Sequence, residues 1–182
     1  MKRTPIRLLV LAVASALAAV VLPATAQAAP YCGITWGSTA EHAGRSAPAS
    51  LGDELRRARA GRHDCYDRLV LDVSGTTAVN SWRVEYVSSV KADGSGALVP
   101  LRGGAFLQIT VGANNHFYAP ANRREMADVA GFRTFRQVAS AGGFEGYSSA
   151  GLGVRARLPF RVMTLAGPGN TVRVVIDVAH AW

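Results

Sequence analysis

Catalysis requires reactive groups brought together, and this sequence offers few that spacing can join. The four histidines, His42, His63, His116 and His180, stand far apart, and none forms the His-x-x-x-His pair of a helical zinc site. His63, Asp64 and Asp67 make the tightest cluster able to hold a metal or move a proton. Flanking Cys65, they read more simply as the polar tip of a hairpin. Gly146-Tyr147-Ser148-Ser149-Ala150 falls one residue type short of a nucleophile elbow. That motif needs a strand turning sharply into a helix, whereas here the strand pattern runs on through Leu152 and Val154. No Gly-rich phosphate loop appears, and no cysteine is placed for transpeptidation. We therefore expect a chain that is not an enzyme and uses no cofactor or metal.

Binding chemistry is easier to find. Residues 112–131 form the longest stretch without strand pattern, and they contain Asn114-Asn115-His116, Tyr118-Ala119-Pro120 and Asn122-Arg123-Arg124-Glu125. Long loops of this kind often carry function. Amides suit hydroxyls and peptide groups, aromatic rings suit sugar faces, and guanidinium forks suit carboxylates. The expected binding set is Arg102, Asn122, Arg123, Arg124, Arg133 and Arg136. The alternative is that these arginines bond loop carbonyls and the carboxylates of Glu125 or Asp128.

The N-terminal segment indicates where such chemistry would operate. Lys2, Arg3 and Arg7 precede an uncharged run from Leu8 to Val21, and Ala26-Gln27-Ala28 supplies small residues at alternate positions. This is the pattern of a secretory signal peptide over residues 1–28, with an apolar run too short to span a bilayer comfortably. Removing it takes the formal net charge from +8 to +5, because Lys2, Arg3 and Arg7 leave with it. A moderately basic exported chain suits acidic wall polymers rather than nucleic acid, and no later run is long enough for a membrane span. Two cysteines remain, Cys32 and Cys65, and an even count in an oxidising compartment predicts one bridge. A reactive thiol at Cys65 is disfavoured by Asp64, since a neighbouring carboxylate raises a thiol pKa.

These groups need a scaffold, and the pattern of the chain is that of strands. Arg68-Leu-Val-Leu-Asp-Val73 and Arg173-Val-Val-Ile-Asp-Val178 are near copies, each with one apolar face, Leu69, Leu71 and Val73 in the first, and an Asp on the other. Trp82 to Val90 alternates, Asp93-Gly94-Ser95-Gly96 signals a turn, and Ala97 to Leu101 would complete a hairpin. Ala105 to Val111, Phe132 to Val138, Phe144 to Arg157 and Phe160 to Leu165 read as further strands. Asp53 to Ala60 suits a short helix by propensity but is read as a strand. Residues 29–50 form an arm and a surface loop, and residues 51–182 one domain. About eight strands with little helix predict an all-β antiparallel sandwich or a barrel.

Arg68 to Ser74, with Pro159-Phe160-Arg161-Val162 and Val172 to Val178, resembles the opening and closing strands of an AMIN-type domain. Tyr31 to Gly37, Gly61 to Arg68 and Leu101 to Phe106 are similar to the stand-alone AMIN-like proteins exported by actinobacteria. The resemblance spans nearly the whole chain beyond residue 28. It implies a β-sandwich that binds peptidoglycan or another cell-wall glycan without chemistry, in a secreted protein that either stays on the wall or is released from it. With no catalytic domain in this sequence, we do not expect the targeting half of an amidase. The alternatives are a secreted partner or inhibitor of an envelope protein, presenting a face around Phe132, Phe135 and Phe144, and a small hydrolase with a site assembled from distant residues.

Overall fold

The computed structural model describes residues 31–44, 53–75, 79, 81–116 and 118–182. The expected signal peptide, its cleavage point, the end of the arm and Phe117 lie outside the described residues. Among the described residues are nine strands, one 3-10 turn at Tyr31–Gly33 and no α-helix. The strands are β1 Glu41–Ala43, β2 Glu54–Arg62, β3 Tyr66–Ser74, β4 Trp82–Val87, β5 Ala105–Val111, β6 Phe135–Phe144, β7 Tyr147–Val154, β8 Phe160–Ala166 and β9 Thr171–Ala179. They form two antiparallel sheets, ordered β1-β4-β5-β7-β6 and β2-β3-β9-β8, which makes the sandwich that the alternation predicts.

One core lies between the sheets. Leu69, Leu71 and Val73 of β3 and Val174, Ile176 and Val178 of β9 join Val84, Leu107, Ile109, Val111, Phe135 and Leu152 of the other sheet. Each such side chain, taken out of water, stabilises the fold by roughly 1.5–3 kcal/mol before the entropy of ordering is counted. The near-copy runs turn out to be neighbours. Pairing antiparallel, they set Arg68 opposite Asp177 and Asp72 opposite Arg173. Arg68 Nε and Nη2 donate to Asp177 Oδ1 and Oδ2 at 2.6 and 2.8 Å, and Arg161 Nε reaches the same carboxylate at 2.9 Å. Asp177 faces outward from the core yet is 0% exposed, so its charge is tolerable only with these donors in place.

Two expectations need correction. The turn at Asp93 to Gly96 closes a short antiparallel pairing, with Ala92 N–H donating to Ala97 O at 2.8 Å, Val99 N–H to Val90 O at 3.0 Å and a bridge between Lys91 and Leu98, but Ala97 to Leu101 is not a strand of either sheet. β4 pairs with β5 instead, from Trp82 opposite Val111 to Val87 opposite Phe106. The physical reason lies in β7. Its Gly151 and Gly153 have no Cβ, and residues 88–104 fold down into that space: a Cβ on Gly151 would sit 2.6 Å from Leu101 Cδ1, and one on Gly153 1.9 Å from Arg102 O. Gln108 secures the excursion by bonding both the N–H and the carbonyl of Lys91 at 3.1 Å. The arm before Ser50, read as a loop, also contains β1, paired with β4. Residues 112–131 contain no strand among those described, as expected of the loop, and the strand expected from Phe132 begins at Phe135.

Candidate functional site

Three of the expected loop arginines meet. Arg102 forks onto Glu125, Nη1 to Oε1 at 2.7 Å and Nη2 to Oε2 at 3.2 Å, and Nη2 also donates to Arg136 O. Arg124 Nη2 donates to Pro100 O, and Arg136 Nη1 to the carbonyls of Phe132 and Phe135. Buried Gln137 knits the group together, accepting from Arg102 N–H at 2.7 Å and donating to Arg124 O at 2.8 Å. Asn122 Oδ1 accepts Arg124 N–H and shapes the turn. Arg123 and Arg133 are exposed, and neither side chain has a hydrogen-bond or ion-pair partner among the described residues. Much of this guanidinium chemistry therefore holds the loop, in the manner of the structural alternative, and Arg123 and Arg133 remain available.

A second arrangement forms where the arm crosses the four-stranded sheet. Cys32 and Cys65 are joined, with Cα atoms 6.3 Å apart. Beyond the bridge, Gly37 N–H donates to Phe160 O and Phe160 N–H to Gly37 O, which lays the arm along β8. Trp36 Nε1 donates to Tyr31 O at 2.9 Å, and the indole meets the Tyr66 ring edge-on at 6.0 Å. His63 stacks on Tyr66 at 4.6 Å. The Arg161 guanidinium lies 5.4 Å from the centroids of Trp36 and Tyr66, and that of Arg68 lies 5.2 Å from Tyr66. Three aromatic rings and two guanidinium groups thus share one surface. Sequence reasoning missed it, although a signal existed: Trp36 lies four residues from Cys32, and His63 and Tyr66 flank Cys65, so the bridge must gather them.

A family profile for the AMIN-like domain matches residues 53–180, from the residue before β2 to the one after β9. The chain belongs to the AMIN-like family. No curated protein and no solved structure matches it significantly. AMIN-like domains are generally extracytoplasmic and related to the cell envelope, and among the described residues no helix is long and apolar enough to cross a membrane.

Within this AMIN-like domain, the groups first considered for catalysis are separated or sealed. His63 is exposed on the aromatic surface, whereas Asp67 is fully buried, its Oδ2 accepting Thr134 and Phe135 N–H at 2.6 and 3.0 Å. Asp67 Oδ1 meets His180 Nε2 at 3.1 Å, and His180 Nδ1 faces Asp64 O at 3.2 Å. Both ring nitrogens are occupied in the interior, where the pair ties the ends of β3 and β9 to the start of β6. Ser148 Oγ donates to Ala113 O at 2.6 Å, and Ser149 shares a bond with Thr110. Both serines lie on β7 after the Glu145-Gly146 turn, whose φ angles of 50° and 82° mark a tight hairpin rather than a strand-to-helix elbow.

Proposed function

We propose that the protein is an exported, non-catalytic module that binds a cell-wall polymer of the peptidoglycan class. The observation that carries the reading is the His63, Tyr66 and Trp36 surface with Arg68 and Arg161 beside it. Aromatic faces take the apolar faces of sugar rings, and guanidinium groups take carboxylates. Each guanidinium carries five N–H donors, and Asp177 uses only part of them. The Cys32–Cys65 bridge holds the rings in place before a ligand arrives, which lowers the entropy cost of binding. It also suits a protein folded in an oxidising compartment.

The test is retention of the disulfide-bonded protein on insoluble peptidoglycan at low and high salt. We expect retention that weakens with salt, is lost in Trp36→Ala, and persists in Arg123→Ala/Arg124→Ala. The reverse pattern would move the site to the 112–131 loop. A folded wild type that stays in solution would end the wall reading in favour of an envelope protein as partner.

A further inference from the structure

The opposite half of the same outer face holds an arrangement that the aromatic surface does not use. β2 contains Leu55-Arg56-Arg57-Ala58-Arg59, and in a regular strand Arg56 and Arg57 would point to opposite faces. The pairing with β3 is not regular there. Leu55 lies opposite Val73 and Arg57 opposite Asp72, so Arg56 is the extra residue of a bulge. Leu55 and Ala58 keep their places in the core, while Arg56 Nε reaches Ser74 Oγ at 2.6 Å and Arg57 Nε reaches Asp72 Oδ2 at 3.1 Å. Arg59 forks onto the same carboxylate at 3.0 and 3.1 Å. From β9, Arg173 stands in register with Asp72, its Nη2 donating to Ala166 O.

Together with Pro168 and Thr171, these side chains line a groove of about 470 Å³. Arg57 and Arg59 share the Asp72 carboxylate, and Arg173 adds a third guanidinium group to the same lining, an excess of two positive charges among these four residues. Among the described residues, buried Arg173 Nε has no hydrogen-bond partner. Crowded like charges are unfavourable without a counter-charge, and the bulge is what crowds them. Arg57 and Arg173 stand on strands two places apart, roughly 9–10 Å, wider than one phosphate or carboxylate group.

We propose that this groove binds a linear anion bearing successive phosphate groups, with one group seated among Arg56, Arg57 and Arg59 and the next toward Arg173. The inference goes beyond wall binding and is tested without a wall. Calorimetry of the disulfide-bonded protein would use tripolyphosphate, orthophosphate and triglutamate as probes at low salt. Tripolyphosphate should bind, and at least roughly tenfold more tightly than either comparator. Arg57→Gln/Arg59→Gln should weaken it by about tenfold or more, whereas the charge-matched Arg123→Gln/Arg124→Gln should weaken it by less than about threefold. Asp72→Asn, which frees two guanidinium groups, should tighten it. Equal losses in the two double variants, equal affinity for triglutamate, or no binding by the wild type would each overturn the proposal. Should Arg57→Gln/Arg59→Gln fail to fold, the sign of the Asp72→Asn effect decides it, with unchanged or weaker binding counting against.

Discussion

The two outer faces of the sandwich are built on the same kind of strand, yet the chain treats them in opposite ways. On the five-stranded sheet, residues 88–104 lie over Gly151 and Gly153, and Gln108 and Gln137 are engaged with that excursion. The neighbouring segment also covers the edge of β6, where Ser140 N–H donates to Arg123 O and Met126 N–H to Val138 O. On the four-stranded sheet, the outward positions are Arg57, Arg59, Arg68, Arg161 and Arg173 around Asp72 and Asp177, with Trp36 and Tyr66 at one end. Val70 and Val175, in the row between Arg59 and Met163, are buried even so, since long side chains can cover apolar neighbours. Where glycine opens a face to the protein's own backbone, that backbone covers it. A face paved with guanidinium groups and rings stays open to other molecules.

The largest effect expected concerns the open face. Replacing both cysteines, Cys32→Ser with Cys65→Ser, removes closure of a 33-residue separation, worth about 4 kcal/mol on the chain-entropy account. A fall in Tm of roughly 8–15 °C should follow. Peptidoglycan retention should drop with it, because the rings lose their anchor, while tripolyphosphate affinity should persist below the new Tm. Loss of both together would show that the face works as one unit. On the covered face, Gly153→Ala brings a Cβ against the backbone oxygen of Arg102, which cannot move aside as a side-chain end would. We expect a loss of about 2–3 kcal/mol by denaturant midpoint, with both binding activities intact.

A smaller effect is a pH dependence of the open face. Burial pushes the Asp72 carboxyl upward, but hydrogen bonds and charge from Arg59 and Arg57 outweigh it and hold the group below the ordinary carboxylate range. A depressed folded value means stability that is present above about pH 4 and lost as pH falls through the lower value. Both arginines are largely solvent-exposed, so the contribution is under about 1 kcal/mol. Asp72→Asn should accordingly lower the neutral plateau by that amount and converge with wild type below about pH 4, which flattens the acid limb. An acid limb identical to wild type would show that the pair carries no net stability.

Period-2 alternation made most of the sandwich legible in the residues. Ala105 to Val111 has the same bounds in both, and Leu69, Leu71 and Val73 occupy the core face as read. The bridge followed from an even count of cysteines in a chain read as exported. What stayed hidden depends on partners distant in sequence. Nothing local says that Leu101 will rest over Gly151 rather than extend a hairpin. The bulge at Arg56 was equally invisible, because two adjacent arginines fit any alternating strand and only the register with Asp72 shows that both turn outward. The arginines of the long loop were visible by type, but a residue type does not reveal which carbonyls will claim it.

The pairing of β3 with β9 has one more consequence. Each run begins with Arg and carries Asp four positions later, so laid head to tail they match a base with an acid at both ends and apolar groups along one side. Such a pattern is a palindrome. Interchanging the two six-residue texts would restore the same cross-strand partners, and a strand of this kind is also complementary to a copy of itself. The register of the central pair is thus written twice in the chain, once from each direction.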